Sequence, residues 1–325
     1  MNFINKKELA KVVFVTGATR SGKIILNRIL SSLNNIENIR YDPLTEQFPC
    51  LHRLKKIDDE TCVYLFKYSV YHMIYDNYLG RNSNFRPSDF TSIWKTPDPH
   101  KFIYRLASFK PHGYGDSLQG DDAITSIVDS KIIFQMMLHF QLMHINILFK
   151  SFPNALVYYM KKHPIDLTYS WLKKSYGGLF YENPRVAMML FKHGKHTIPY
   201  YAVGWEDVFI TLNNTDKIIY MINHMNNVSE DEYFKLNENF KNKLKPIDFD
   251  NLVQNPEEHV KQICRDLNTK ETPYLNTIYN EENLPRNIKI GQRDIKLKHI
   301  KETASKEGLE LLFKMIEKFE SPESI

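Results

Sequence analysis

Residues 12–16, VVFVT, form a continuous, largely apolar run, the pattern of a strand buried on both faces of a parallel sheet. Residues 23–33 follow with helical spacing, after a turn of small residues. Shorter apolar runs at 62–66 (CVYLF) and 124–128 (ITSIV) read as further strands. Residues 131–149 bring Ile133, Met137, Phe140, His144 and Ile147 to one face, which predicts a helix of about five turns. Residues 155–160 read as a strand that meets Pro164, where a second helix starts. Residues 186–245 read as mostly helical. Residues 246–268 give a short extended piece, a turn and an amphipathic helix, with Pro256, Glu257 and Glu258 suiting its first turn.

Strands alternating with helices predict an α/β fold, a three-layer α/β/α arrangement with a mainly parallel central sheet. No compositional break marks a second domain, so residues 1–325 are expected to form one. Two departures stand out within it. Residues 80–122 are loop-rich, with Pro87, Pro97, Pro99, Pro111 and the run HGYGDSLQGDD; so long a connection reads as an acceptor-side lid. Residues 186–245 read as a helical insertion.

Composition narrows the partners. The chain is 42% apolar and 25% charged, as ordinary soluble proteins are. A net charge of +5 suits a small anionic ligand and does not call for nucleic acid. Cys50, Cys62 and Cys264 are widely separated, which argues against a disulfide scaffold or a zinc site and for a reducing compartment. The N-terminal MNFINKKELAK lacks the apolar stretch of a signal peptide, and residues 132–149 are too polar for a membrane span. A cytoplasmic protein is expected. The oligomeric state is not legible.

Two segments carry anion-binding chemistry. The first runs from Gly17 to Lys23, GATRSGK, and nearly completes the nucleotide loop G-x-x-x-x-G-K-[ST]. Backbone N–H groups of such a turn, ahead of a helix N-terminus, cradle phosphate, and Arg20, Ser21 and Lys23 add side-chain donors. Ile24 stands where Ser or Thr would hold magnesium, so no metal is expected. The second segment is Lys161, Lys162, His163 and Pro164 followed by Ser170, again where a strand hands over to a helix. Open α/β sheets bind ligands at that edge. Two cradles without a metal suggest one ligand with two separated phosphates.

This pairing resembles the sulfotransferases that use 3′-phosphoadenosine 5′-phosphosulfate (PAPS). GATRSGK resembles their 5′-phosphosulfate loop, often [RK]-S-G-T, with Lys23 in place of Thr. YYMKKHPIDLTYSW resembles the 3′-phosphate motif R-x-P-x-D-x-x-x-S, with Lys162 in place of Arg and Ser170 in register. IDFDNLVQNPEEHVKQICRDLN resembles the Y-E-D-L-V-x-N-P stretch, and SIVDSK a D-[KS]-[ST] motif. Arg286 and Gly291 keep the outer spacing of an R-K-G-x-x-G loop.

The resemblance implies a P-loop-like nucleotide-binding core and a metal-independent transfer from PAPS to a hydroxyl or amine of a small-molecule or glycan acceptor. Adenosine 3′,5′-bisphosphate (PAP) would be the product. Gly17, Thr19, Arg20, Ser21, Gly22, Lys23 and Ile24 would hold the phosphosulfate, and Lys162, Ser170, Arg286 and Gly291 the 3′-phosphate end. Arg20 or Lys23 would neutralise the leaving oxygen. The general base would be Asp42 or Glu46 in IRYDPLTEQ, or His112. Asp129 and Lys131 sit at an expected strand end and are open to a site role. His139 and His144, five apart on an expected helix, have poor metal spacing and read as core-edge residues. Trp171 and Trp205 read as packing residues that could also stack on a ligand. Two alternatives stay open: a P-loop kinase or NTPase with Asp129 near its metal, and a non-catalytic nucleotide-binding protein on the same scaffold.

Overall fold

The computed structural model describes residues 9–108, 117–139, 141–178, 189–288 and 291–321. Among the described residues there are six strands: β1 (Lys11–Gly17), β2 (Ile133–Met137), β3 (Leu156–Lys161), β4 (Leu190–His193), β5 (His196–Pro199) and β6 (Leu244–Asp248). Four form a parallel sheet in the order β2-β1-β3-β6. β1 is central, with Phe14 opposite Met136 on one side and Val157 on the other. β4 and β5 pair as a separate antiparallel hairpin.

Alternation along β1 divides the core. Val13 and Val15 face α1 (Lys23–Ser31) and the helix Pro256–Leu267, through Leu26, Ile29, Val260 and Ile263. Val12 and Phe14 face the opposite side. There they meet Phe66, Val70 and Ile74 of α3 (Asp59–Tyr78), the helix that follows α2 (Pro43–Arg53). The sheet therefore sits between two helical layers, as the alternating pattern predicts. A further cluster joins α7 (Pro164–Leu172) to the helices Asn214–Phe234 and Lys306–Glu320 around Trp171. Among the described residues, no helix is long and apolar enough to cross a membrane.

Several sequence expectations are corrected. Residues 62–66 lie inside α3, whose buried Cys62, Phe66, Val70 and Ile74 recur every four residues. A five-residue apolar window is too short to separate that spacing from a buried strand. Residues 124–128 belong to another helix, α5 (Ser117–Ser130), preceded by α4 (His100–Ser108). Helices thus occupy part of the stretch expected to be loop-rich. The long helix expected over 131–149 is instead β2, a 3-10 turn at Gln141–His144 and α6 (Ile145–Ser151). All five residues of β2 are buried, and a strand buried on both faces carries no period of two to betray it. The expected helical insertion at 186–245 includes the β4–β5 hairpin ahead of the long helix Asn214–Phe234.

A buried ion cluster sets the edge of the sheet beside β2. Residues 36–40 run alongside that strand, bridging Ile36 to Ile133 and Arg40 to Met136. Between them Glu37 is 1% exposed and accepts from Arg105 at 2.9 Å, Lys101 at 3.3 Å and Asn77 at 3.0 Å. Burial alone would raise its carboxyl pKa, but Lys101 and Arg105 outweigh that and hold it low. α4 is thereby clamped to the segment that leads into Tyr41, Asp42 and α2. Glu37→Ala leaves these cations without their partner and should cost about 3 kcal/mol in a urea titration.

Candidate active site

β1 leaves the sheet at Gly17, where an added Cβ would lie 2.6 Å from the Met160 carbonyl of β3. Only glycine fits between the two strands. Arg20 adopts a left-handed conformation at φ 73°, and Gly22, at φ 99°, caps α1. A Cβ on Gly22 would lie 2.3 Å from the Phe249 ring. Three contacts from the end of β3 and from α7 hold this loop. Trp171 Nε1 donates to the Thr19 carbonyl at 2.8 Å, Lys162 Nζ to the Arg20 carbonyl at 2.9 Å, and Arg20 Nε to Ser170 Oγ at 3.3 Å. The two segments singled out in the sequence are therefore in direct contact. Trp171, 1% exposed, is a fastener of the loop.

Ser21 Oγ is buried and has no hydrogen-bond partner among the described residues. Such an atom is costly unless something else satisfies it. Lys23 behaves differently from a phosphate ligand. It is 3% exposed and donates to the Gly17 and Ala18 carbonyls at 2.8 and 2.7 Å. Burial brings its pKa down to about 7, against the opposing pull of Glu46. Ile24, the next residue, is exposed.

On one side of the loop lies a cleft of about 700 Å³. Lys162, Ser170, Arg286 and Gly291 all line it. Lys162 Nζ lies 4.7 Å from the centre of the Phe249 ring, and burial lowers its pKa. Arg286 is steadied by Glu282, through Nε to the carbonyl at 2.8 Å and Nη2 to the carboxylate at 3.2 Å. Gly291 caps the helix Gln292–Lys301. Arg293 and Lys296 on that helix also line the cleft, both paired with Asp166, and Arg293 with Asp250 as well. Sequence reasoning missed these two. Their spacing of three, just past a glycine, is the signal that could have found them.

On the other side stands a half-buried histidine. His139 follows β2 by two residues, at the same sheet edge as Gly17. Glu46, 5% exposed, accepts from the His139 backbone N–H and, at 3.1 Å, from its Nδ1. A carboxylate at Nδ1 places the proton there and leaves Nε2 with its lone pair. Burial lowers the His139 pKa, Lys23 lowers it further, and Glu46 opposes both. The lowered pKa favours the neutral imidazole. The Tyr41 ring meets it edge-on at 5.1 Å. The expected helix over 131–149 is what hid His139.

The remaining candidates are placed elsewhere. Asp42 caps α2, accepting from Leu44 N and Thr45 Oγ1 at 3.0 Å each. Asp129 and Lys131 flank the start of β2, the opposite edge of the sheet from the loop. His144 is buried with its pKa pushed down to about 3 by burial, and Trp205 packs against Phe209, Tyr220 and His224. His112 lies outside the described residues. Among the described residues, no three His, Cys, Asp or Glu side chains cluster as metal ligands would.

The chain matches no family model and no curated protein. Among solved structures it is similar to the sulfotransferase domain of the Synechococcus PCC 7002 olefin synthase, at 10% identity and a TM-score of 0.44, covering 98% of this chain and 97% of that one. It is similar to the sulfotransferase domain from the curacin biosynthetic pathway, at 14% identity and a TM-score of 0.43, covering 95% and 98%. It is also similar to sulfotransferase STF9 from Mycobacterium avium, at 10% identity and a TM-score of 0.43, covering 98% and 79%.

Two outcomes follow from the loop. Gly22→Ala forces a left-handed alanine against Phe249 and should lower stability by at least about 1–2 kcal/mol, read as a fall in melting temperature. Lys23 keeps its proton to about pH 10.5 when the chain is unfolded, but only to about 7 when folded. The unfolded state binds more protons across that window, so rising pH stabilises the fold. Melting temperatures measured from pH 7 to 10 should show this rise in the wild type, reduced in Lys23→Met.

Proposed function

We propose that the chain is a sulfotransferase that moves a sulfuryl group from PAPS to a hydroxyl acceptor. The observation that carries this is the contact of Arg20 with Ser170, which joins a glycine-rich anion loop to a second cationic cleft. A ligand with phosphates at both ends of a nucleoside fits that pair of sites. The residues present suit it: the buried Ser21 hydroxyl lacks a partner among the described residues, and five cationic side chains, Lys162, Lys173, Arg286, Arg293 and Lys296, line the cleft.

PAPS supplies the activated sulfuryl group on its 5′-phosphate. In transfer, the acceptor oxygen bonds to sulfur while the sulfur–oxygen bond to that phosphate breaks and its electron pair stays on the phosphate oxygen. The loop amides and Ser21 bind the phosphate, and Arg20 offsets the charge that develops there. Lys23 acts from beneath, tied to the loop carbonyls, and adds positive charge when protonated. Lys162 and Ser170 hold the 3′-phosphate. His139, oriented by Glu46, takes the acceptor proton at Nε2. Asp42 shapes the turn that presents Tyr41 and α2.

A kinase reading is less well supported. Ile24 offers no oxygen for magnesium, and Asp129 lies at the far edge of the sheet. The reading assigns a cytoplasmic setting, in keeping with three unpaired cysteines, and a partner that is a small molecule or glycan.

Calorimetric titration with PAP and with ATP, each with and without magnesium, tests the proposal. PAP should bind without metal, and Lys162→Ala with Ser170→Ala should weaken it by about 100-fold. Magnesium-dependent ATP binding without PAP binding would sink the reading. In PAPS turnover assays over a panel of hydroxyl acceptors, His139→Gln should lose about 10²- to 10⁴-fold in rate while keeping its affinity for PAP.

A further inference from the structure

A second cleft of about 660 Å³ opens between α2 and α3, and the site above leaves it unexplained. Tyr41, Asp42, Phe48, Tyr68, His72 and Asn82 line it. Tyr68 and His72 of α3 line one wall, and Tyr64 extends their row of rings along the helix beyond the cleft. Tyr64 stacks on Tyr68 at 6.2 Å and 19°, and Tyr68 leans on His72 at 6.0 Å and 33°. Tyr64 is 45% exposed and Tyr68 56%, so the row shows its rings to solvent. A helix gains little fold stability from stacking large rings in water, and contiguous exposed rings mark binding surfaces.

We propose that this cleft is the acceptor site and that it takes a neutral oligosaccharide. The proposal rests on the sulfotransferase reading for its direction. Flat, exposed rings suit the apolar C–H face of a sugar, while the carboxylate of Asp42, the Asn82 amide and His72 offer hydrogen bonds to its rim of hydroxyls. A steroid or lipid would call for an enclosed apolar pocket, and this cleft is open with charged and amide groups at its edge. Tyr41 links it to the chemistry: the same side chain lines the cleft and meets the His139 ring. In this proposal, a sugar stacked on Tyr68 presents a hydroxyl towards His139 past Tyr41.

The test is saturation-transfer NMR and calorimetry on the full chain with cellotetraose, maltotetraose and chitotetraose, and with p-nitrophenol as an aryl probe. Each is run with and without PAP. At least one tetrasaccharide should bind. Tyr68→Ala, at an exposed position where unfolding is not expected, should weaken that binding about tenfold, and Tyr68→Phe should largely restore it. PAP affinity should be the same in all three proteins. Failure of every tetrasaccharide beside normal PAP binding overturns the acceptor assignment and leaves the sulfotransferase reading standing. So does Tyr68-dependent binding of p-nitrophenol alone, which would make the cleft an aryl site. Tetrasaccharide binding indifferent to Tyr68→Ala also overturns it. Tetrasaccharide binding that depends on Tyr68, in a chain that ignores PAP, keeps the sugar cleft and removes the sulfotransferase reading.

Discussion

The hydrogen bond from Lys162 to the Arg20 carbonyl, with the reciprocal reach of Arg20 to Ser170, is the constraint on which the site depends. A left-handed arginine is an expensive conformation for a residue with a side chain. It persists because β3 and α7 grip the loop on one side while Gly17 and Gly22 let it pass against Met160 and Phe249 on the other. Trp171 completes the grip from inside the core. The loop is thus shaped by parts of the chain about 140 residues distant, not by its own sequence alone.

The parallel sheet gives this arrangement its logic. β1, β2 and β3 all end at one edge, so Arg20, His139 and Lys162 meet there although they are far apart in sequence. The two clefts fall on opposite sides of the loop residues, one basic, the other aromatic with a polar rim. The Glu37 cluster fixes the second side by holding the segment before α2 against β2.

The readable parts of the sequence were those with punctuation. Gly17 and Gly22 mark the exit of β1, and Pro164 marks the start of α7, so both anion segments and their secondary structure could be placed. β2 has no such marks. Its residues are all buried, Gln135 among apolar neighbours, and apolar positions recur on into α6, so a helical period could be drawn across both. That one error carried His139 onto the wrong element and out of consideration. Asp42 is ambiguous for a related reason: an acidic residue before proline is the pattern of a helix cap as much as of a base, and here it caps α2. Arg293 and Lys296 left only a weak local signal, their spacing past Gly291, because their partners, Asp166 and Asp250, arrive from other parts of the chain.

Under the proposed function, sharing Arg20 between the loop and Ser170 would link the two anion-binding segments thermodynamically. A ligand with a single phosphate engages one half and leaves the other with its native contacts. A ligand that spans both gains the second contact as an intramolecular event, at an effective concentration fixed by its own length. On that proposed reading, selectivity among nucleotides would come less from reading a base than from measuring the distance between two charges.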